Sequence, residues 1–183
     1  REPRLPGGGG GNRGATGGGV VRIEAPAATV RLHGDLLADG GPVPGGGTVG
    51  AAGGSIRLRA GTLEGRGEVR ASGSFVAAGP YRPSGSGGRV SLSWVEPTIT
   101  GITARADGAI SSASSGPGSP GIPPLAGAGT VFLERLDSAG LPLDRGTLRI
   151  SNPSSTDLPA WTRLPGLGSA VVSGVDATST ELV

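Results

Sequence analysis

The segment Gly53-Gly54-Ser55-Ile56-Arg57-Leu58 decides the fold of this chain, because the same arrangement of residues recurs along it. Two small residues open a short strand in which apolar side chains alternate with others. The counterparts of this segment are residues 18–23, 87–92 and 128–133. The second small residues are Gly19, Gly54, Gly88 and Gly129, at steps of 35, 34 and 41 residues. A repeat at this period is typical of stacked, solenoid-like architectures.

The second half of each unit repeats as well, in copies that begin at Thr29, Thr62 and Thr98, with a truncated last copy over residues 147–152. Each unit therefore predicts a strand, a short turn, a second strand, a sharp bend and a return rich in Gly, Pro and Ser. The bends read Ala-Asp-Gly or Ala-Ser-Gly. We expect Gly40, Gly73 and Gly108 to close them, because glycine adopts a positive φ without a Cβ clash.

Composition limits the kind of core that the repeats can build. The chain has 38 glycines and 16 prolines among 183 residues, and only 3% of its residues are aromatic. The density of glycine and proline excludes helices and a wide core of large rings. A thin core fits better, and its predicted inward residues are Val21, Ile23, Ile56, Leu58, Val90, Leu92, Val131 and Leu133. Glycines 19, 54, 88 and 129 would let neighbouring backbones approach, and the tract 7–11 would pack against backbone.

The predicted fold class is all-β, a parallel β-helix (β-solenoid) of about four coils with Gly/Pro-rich loops. Residues 1–17 form a Gly-rich N-terminal lead-in, residues 18–152 the solenoid repeats, and residues 153–183 a non-repeating C-terminal segment. That last segment is either a cap over the open end or a strand lent to a neighbouring subunit. Four coils would stack to roughly 20 Å. We therefore expect a fragment of a longer chain or a subunit that stacks on its neighbours.

Charge and cysteine content exclude several classes of function. The sequence pI is about 10.3, but all 16 basic residues are arginines and 14 carboxylates nearly balance them. They are spread singly, which argues against a nucleic-acid partner. The absence of cysteine removes disulfides and thiolate chemistry. No stretch approaches about 18 apolar residues, so no membrane span is predicted.

Known catalytic and cofactor motifs give no candidate site. Residues 116–121 match Gly-x-Gly-x-x-Gly, but prolines at positions 120, 123 and 124 prevent the helix that a dinucleotide site needs. His33 is the only histidine; Asp35 would face the same side of a strand, so the two either pair or His33 is simply exposed. We predict no enzyme, catalytic residue, metal or cofactor.

Two aspartates need a separate comparison. Asp39 and Asp107 occupy matching bend positions, with Ser72 at the bend between them. A spacing of two layers would separate the carboxylates by about 9–10 Å, near the upper limit for the catalytic pair of an inverting glycosidase. The simpler role for both aspartates is to form the turns.

Trp94 closes a strand, and we interpret it as a packing residue rather than a binding residue. Glu64 and Glu68 flank Arg66 and are expected to form ordinary surface ion pairs.

The string from Gly53 to Gly73 resembles the glycine-rich right-handed parallel β-helix repeats of large bacterial surface and secreted proteins. Residues 87–92 and 127–133 share the motif, and the resemblance covers roughly residues 17–152. It implies an exported scaffold or adhesin-like segment, extracellular or at the cell surface. The long Pro-rich third return and the non-repeating tail depart from the motif.

The resulting hypothesis is a non-enzymatic extracellular structural protein, a filament subunit or adhesin-like surface segment that self-associates. The alternative is a carbohydrate-binding or carbohydrate-degrading β-helix whose partner is a cell-surface polysaccharide. A cluster of Asp, Arg and aromatic side chains across neighbouring coils on one outer face would favour that alternative. A third hypothesis is a host- or phage-interaction module whose contact surface is the return 109–127.

Overall fold

The computed structural model describes residues 3–11, 14–43, 49–75, 84–95, 101–109, 126–150 and 181–182. These residues form nine strands and no helix. The strands are β1 (Val20–Leu32), β2 (Leu36–Leu37), β3 (Ser55–Gly65), β4 (Gly67–Arg70), β5 (Arg89–Trp94), β6 (Ile102–Arg105), β7 (Thr130–Arg135), β8 (Thr147–Arg149) and β9 (Glu181–Leu182). The all-β prediction is therefore confirmed for the described residues.

The strands divide between two sheets that the chain visits alternately. The larger sheet has the order β1-β3-β5-β7-β8-β9, and the smaller has the order β2-β4-β6. From β1 to β7, every pairing is parallel. Parallel neighbours require a crossover, and here the other sheet and a glycine-rich return supply it. Both sheets are open. Each repeat is called a layer below: residues 18–52, 53–86, 87–127 and 128 onward.

The register of the large sheet stacks equivalent residues of successive layers on one another. Ile56 lies between Val21 and Val90, and Val90 in turn pairs with Val131. A one-residue slip would move every apolar side chain to the opposite face, so this register is specified by burial. The repeat phase predicted from the sequence matches the register of these strands.

The hydrophobic core is thin and is built from aliphatic side chains of both sheets. Of the predicted inward residues, five are buried and three are half-buried against the core; the buried ones are Ile56, Leu58, Val90, Leu92 and Val131. The small sheet and its bends add Val69, Ala38, Ala71 and Ala106. Each fully buried Leu, Ile or Val contributes about 1.5–3 kcal/mol. Trp94 is only 6% exposed, consistent with packing.

The first strand of each of the first two layers continues through Thr29 and Thr62, where the second half of each sequence repeat begins. Short links at residues 33–35 and at Arg66 then lead to β2 and β4, in the predicted order of strand, turn and second strand. In β1, residues 26–28 lie opposite the single Gly61, so the extra length is taken up as an irregularity within the strand. The ladder resumes at Thr29, opposite Thr62, because the neighbouring strand continues to supply hydrogen-bonding partners. The equivalent residues of the third layer lie outside the described part of the chain.

The bend glycines also have a different role from the one predicted. Gly40, Gly73 and Gly108 do not adopt a positive φ. A Cβ at Gly40 would overlap the carbonyl oxygen of Ala51, and one at Gly73 would overlap that of Gly85. The bends need glycine because the return passes within contact distance of the backbone. Positive φ values occur instead at Gly65, Gly101, Gly140 and Gly146.

The glycine-rich returns form a backbone array. Three successive N–H groups donate to three different neighbours: Ala52 to Gly8, Gly53 to Ser86 and Gly54 to Ala38, at 2.7–2.9 Å. A strand would alternate between two partners in one plane. The lead-in belongs to this array, since Gly7 donates to Gly18 at 2.8 Å and a Cβ on Gly7 would overlap the Ala52 carbonyl. The expectation that the glycine tract packs against backbone is confirmed at Gly7 and Gly10, whereas the Cβ positions of Gly8 and Gly11 have nothing within 4 Å.

The second glycine of each repeat is where two layers touch. A Cβ at Gly54 would overlap the carbonyl oxygen of Gly19, and one at Gly88 would overlap that of Gly54. A Cβ at Gly129 would likewise overlap the carbonyl oxygen of Gly88. Gly19, in the first layer, has nothing within 4 Å of its Cβ position. The predicted close approach is confirmed at three of the four positions.

The last sequence copy does not extend the small sheet. Residues 147–149 form β8, which turns back and pairs antiparallel with β7, so the prediction that this segment repeats the earlier layers is wrong. Gly140 and Gly146 allow the reversal through positive φ, and the Asp137 carboxylate accepts the Leu141 N–H at 2.8 Å. Of the tail 153–183, only β9 is described; it pairs antiparallel with β8. The rest of the tail, the motif 116–121 and most of the third return lie outside the described residues.

Substituting alanine at Gly54 tests the layer contact. The added Cβ overlaps backbone, which cannot move without shifting two layers, so we expect a loss of about 1–3 kcal/mol in the free energy of unfolding. Gly19→Ala is the matched control at the same repeat position, and we expect it to change stability by no more than about 0.5 kcal/mol. Urea denaturation followed by circular dichroism measures both. Equal destabilisation of the two variants would contradict the layer contact.

A disulfide between layers tests the register in a chain that has no native cysteine. Arg31 and Glu64 are direct partners on neighbouring parallel strands. Such strands lie about 4.8 Å apart, within the Cα separation of about 4.4–6.8 Å that a disulfide spans. We expect Arg31→Cys/Glu64→Cys to oxidise to one intramolecular disulfide, measured by thiol counting and non-reducing electrophoresis. Arg31→Cys/Thr62→Cys, offset by two residues, should remain reduced; preferential oxidation of that control would show a different register.

Candidate functional site

The bends after the small sheet carry a column of polar side chains that joins successive layers. The Asp39 carboxylate accepts the backbone N–H of Ser72 through Oδ1 at 2.7 Å. The Ser72 hydroxyl oxygen in turn accepts the backbone N–H of Asp107 at 3.2 Å. Each side chain thus satisfies a donor of the layer above it. Asp39 and Asp107 are separated by the layer of Ser72, as predicted, and their described contacts are those of bend-forming residues.

Arg70 joins this column to a second carboxylate. Its Nε and Nη2 groups donate to Asp39 Oδ2, both at 2.8 Å, and Nη1 donates to Glu68 Oε2 at 2.8 Å. The hydrogen bond to Asp39 is the main cause that raises the pKa of Arg70 above its ordinary value, while partial burial acts in the opposite direction. The guanidinium therefore stays charged and fixed between two carboxylates from two layers. In the third layer, Arg105 pairs with Asp107 at 2.7 Å.

A cleft with a volume of about 490 Å³ opens beside this network. It lies across the first two layers, and its lining residues are Asp39, Pro42, Val43, Arg70, Ser72, Gly73, Ser74 and Phe75. Phe75 is 55% exposed, so its ring is accessible from this cleft. The Ser74 hydroxyl oxygen accepts the Ala51 N–H at 2.9 Å and so fixes the return that forms one wall.

His33, the only histidine of the chain, is not part of this cleft. His33 is exposed in the link between β1 and β2. The described hydrogen bond of Asp35 comes from the backbone N–H of Glu68, at 3.2 Å, so this aspartate also joins two layers. Among the described residues, no group of three His, Asp or Glu side chains could hold a metal ion. The described part of the chain contains no helix long and apolar enough to cross a membrane.

Glu64 and Glu68 form ion pairs, as expected, with Arg31 and Arg70 as their described partners. Glu64 pairs with Arg31 of the layer below, and this contact raises the pKa of Arg31. Glu68 pairs with Arg70, two residues further along the same strand. Arg57 of the second layer lies 2.8 Å from Glu24 of the first. The pair of Arg31 and Glu64 is exposed, so screening by solvent leaves it little effect on stability.

Sequence reasoning missed the cleft, although part of its signal was present. Aligning the repeats places Arg70 one layer above Leu37, which lies two residues before Asp39. Phe75 follows the next bend, at a position that no motif of the sequence marks. The return that brings Pro42 and Val43 opposite the network has no regular pattern from which its path could be inferred.

No protein-family model, no curated protein sequence and no solved structure matches this chain.

Replacing Asp39 with alanine tests the polar column. The change leaves the Ser72 N–H without its acceptor and Arg70 with Glu68 alone, so we expect a loss of about 1.5–3 kcal/mol in the free energy of unfolding. Asp35→Ala is the matched control, because it removes one exposed carboxylate contact between the same two layers; its cost should stay below about 1 kcal/mol. Urea midpoints measure both. A smaller effect for Asp39→Ala than for Asp35→Ala would contradict a structural role for the column.

Proposed function

We propose that this chain is a non-enzymatic structural segment of a bacterial extracellular or cell-surface protein, built as a right-handed β-solenoid. In this proposal the two parallel sheets and the array of glycine-rich returns are the three faces of one stack. The alternation of the chain between the sheets supports it. Parallel crossover connections are right-handed in about 98% of cases, which supports the hand. The extracellular setting rests on the resemblance of the repeats.

The observation that carries the proposal is that layers contact each other through backbone at equivalent glycines. Gly54, Gly88 and Gly129 each place a backbone against the carbonyl of the preceding layer, where no side chain fits. An array of this kind supplies length and rigidity rather than a moving part. The polar column is used in the same way, since Asp39 and Ser72 bind the backbone of the next layer. A carboxylate that holds its own fold together in this way is poorly placed for general acid catalysis.

Self-association is proposed to occur at the first layer. Within the described part of the chain, no strand pairs with the outer edge of β1. Gly19 is the only one of the four repeat glycines with open space at its Cβ position. At Gly54, Gly88 and Gly129, the backbone of the preceding layer occupies that space. At the opposite side of the large sheet, β8 pairs with β7 and β9 pairs with β8. A second copy that pairs with β1 would extend the sheet and occupy the space beside Gly19.

Gly19→Val tests this association without disturbing the monomer. The Cβ position of Gly19 has nothing within 4 Å, so we expect the melting temperature at low concentration to stay within a few degrees of the native value. We expect the native protein to form concentration-dependent assemblies in sedimentation velocity and negative-stain electron microscopy, and the variant to lose them. Gly34→Ala, which is also open, is the control for glycine replacement away from the contact. A strictly monomeric native protein would overturn the self-association.

A further inference from the structure

We infer that the cleft between Arg70 and Phe75 binds a neutral saccharide ring. The inference goes beyond the scaffold role and does not depend on it, because it rests on groups that the scaffold contacts leave available. An aspartate, an arginine and an aromatic side chain, contributed by two neighbouring layers, line one open cleft of about 490 Å³. This volume lies within the range of about 300–1,000 Å³ that small-molecule sites occupy.

The cleft offers hydrogen-bond donors and acceptors side by side. The guanidinium of Arg70 has five N–H donors, and its described contacts to Asp39 and Glu68 use three of them. The Ser72 hydroxyl accepts the Asp107 N–H and keeps its own proton for donation. Asp39 has further lone pairs besides those that accept Arg70 and Ser72. Sugar hydroxyls both donate and accept, so they match a mixed set of this kind.

These polar groups are already fixed in position before a ligand arrives. Arg70 is held at 2.8 Å by carboxylates on both sides, and Ser72 is anchored through its N–H and its hydroxyl oxygen. A ligand therefore does not need to order long side chains, a step that costs about 0.5–1.5 kcal/mol for each flexible side chain. This preorganisation favours recognition of an uncharged ligand that binds through hydrogen bonds.

The charges around the cleft favour a neutral ligand over an anion or a metal cation. Asp39 and Glu68 carry two negative charges around the single positive charge of Arg70, so the local balance is acidic. An anionic ligand such as a phosphate or a uronic acid would meet a guanidinium that is already neutralised. A metal cation would have to displace Arg70 from both carboxylates. A neutral polyhydroxylated ligand has neither difficulty.

The cleft also has an apolar side, which suits the apolar face of a sugar ring. The ring of Phe75 is more than half exposed, and Pro42 and Val43 line the same cleft. A pyranose has an apolar C–H face and a hydroxyl-bearing edge, so the face can cover the Phe75 ring while the edge reaches Arg70 and Ser72. Aromatic side chains combine a large apolar area with low entropic cost, which makes them efficient contacts. The exposed ring of Phe75 beside the polar network thus fits a saccharide better than a purely polar ligand.

Titration by NMR tests the inference on the full chain. ¹⁵N-labelled protein is titrated with cellohexaose, maltohexaose and, as an anionic probe, hexagalacturonate at millimolar concentrations. We expect at least one neutral oligosaccharide to shift the amide resonances of residues 72–75 in a saturable way. Hexagalacturonate should bind at least tenfold more weakly. Shifts spread over the surface without saturation would overturn the inference.

Variants at the ring give the decisive comparison. Phe75→Ala should weaken binding at least tenfold, whereas Phe75→Tyr, which keeps the ring, should retain it. Leu141→Ala is the matched control, since Leu141 is 62% exposed in the hairpin before β8, far along the chain from the cleft. Unchanged melting curves show that each variant folds. No shift with either neutral oligosaccharide, or equal binding by Phe75→Ala, overturns the saccharide site while leaving the scaffold proposal to its own test.

Discussion

The close approach of backbones at glycine is the constraint on which the rest of this structure depends. Where Gly54 meets the Gly19 carbonyl, and Gly88 meets that of Gly54, no Cβ has room. Ordering glycine is costly, because each glycine loses more conformational freedom on folding than any other residue. That cost is offset by main-chain hydrogen bonds in both sheets and across the returns. The core beside these contacts is thin and, apart from Trp94, is built from aliphatic side chains and alanine.

Polar side chains fix the register between layers, which the contacts at glycine alone would not fix. The pairs Arg31–Glu64 and Arg57–Glu24 join one layer to the next, as do the bend contacts of Asp39 and Ser72. Each exposed pair contributes little free energy. A slip by one residue would break all of them together, however, and would also expose the core. Their physical effect is therefore on register, with packing supplying the stability.

The repeat made much of this predictable, because each layer has the same chemistry at the same phase. The inward positions, the packing of Trp94 and the glycine contacts could be inferred from one sequence. Features that depend on contacts between distant segments could not. The bend at Gly40 looks like a turn requiring positive φ, yet the carbonyl of Ala51 is what excludes a side chain there. β8 reverses direction through a hairpin, and the cleft is formed by a return that has no periodic sequence pattern. The repeat therefore could not predict either feature.

The two edges of the large sheet differ in how far they remain open to pairing with another strand. At the far side, β8 reverses direction, so the parallel edge of β7 is closed by an antiparallel strand of the same chain. At the near side, β1 keeps a proline at position 26 and an irregular segment opposite Gly61. Proline and bulges weaken an edge as a template for pairing. They affect only its middle, and the regular segments on both sides keep the geometry that a further layer requires. Any copy that binds this edge must therefore engage it near Gly19 and again after Thr29, which favours a partner of the same repeat length over an unrelated strand.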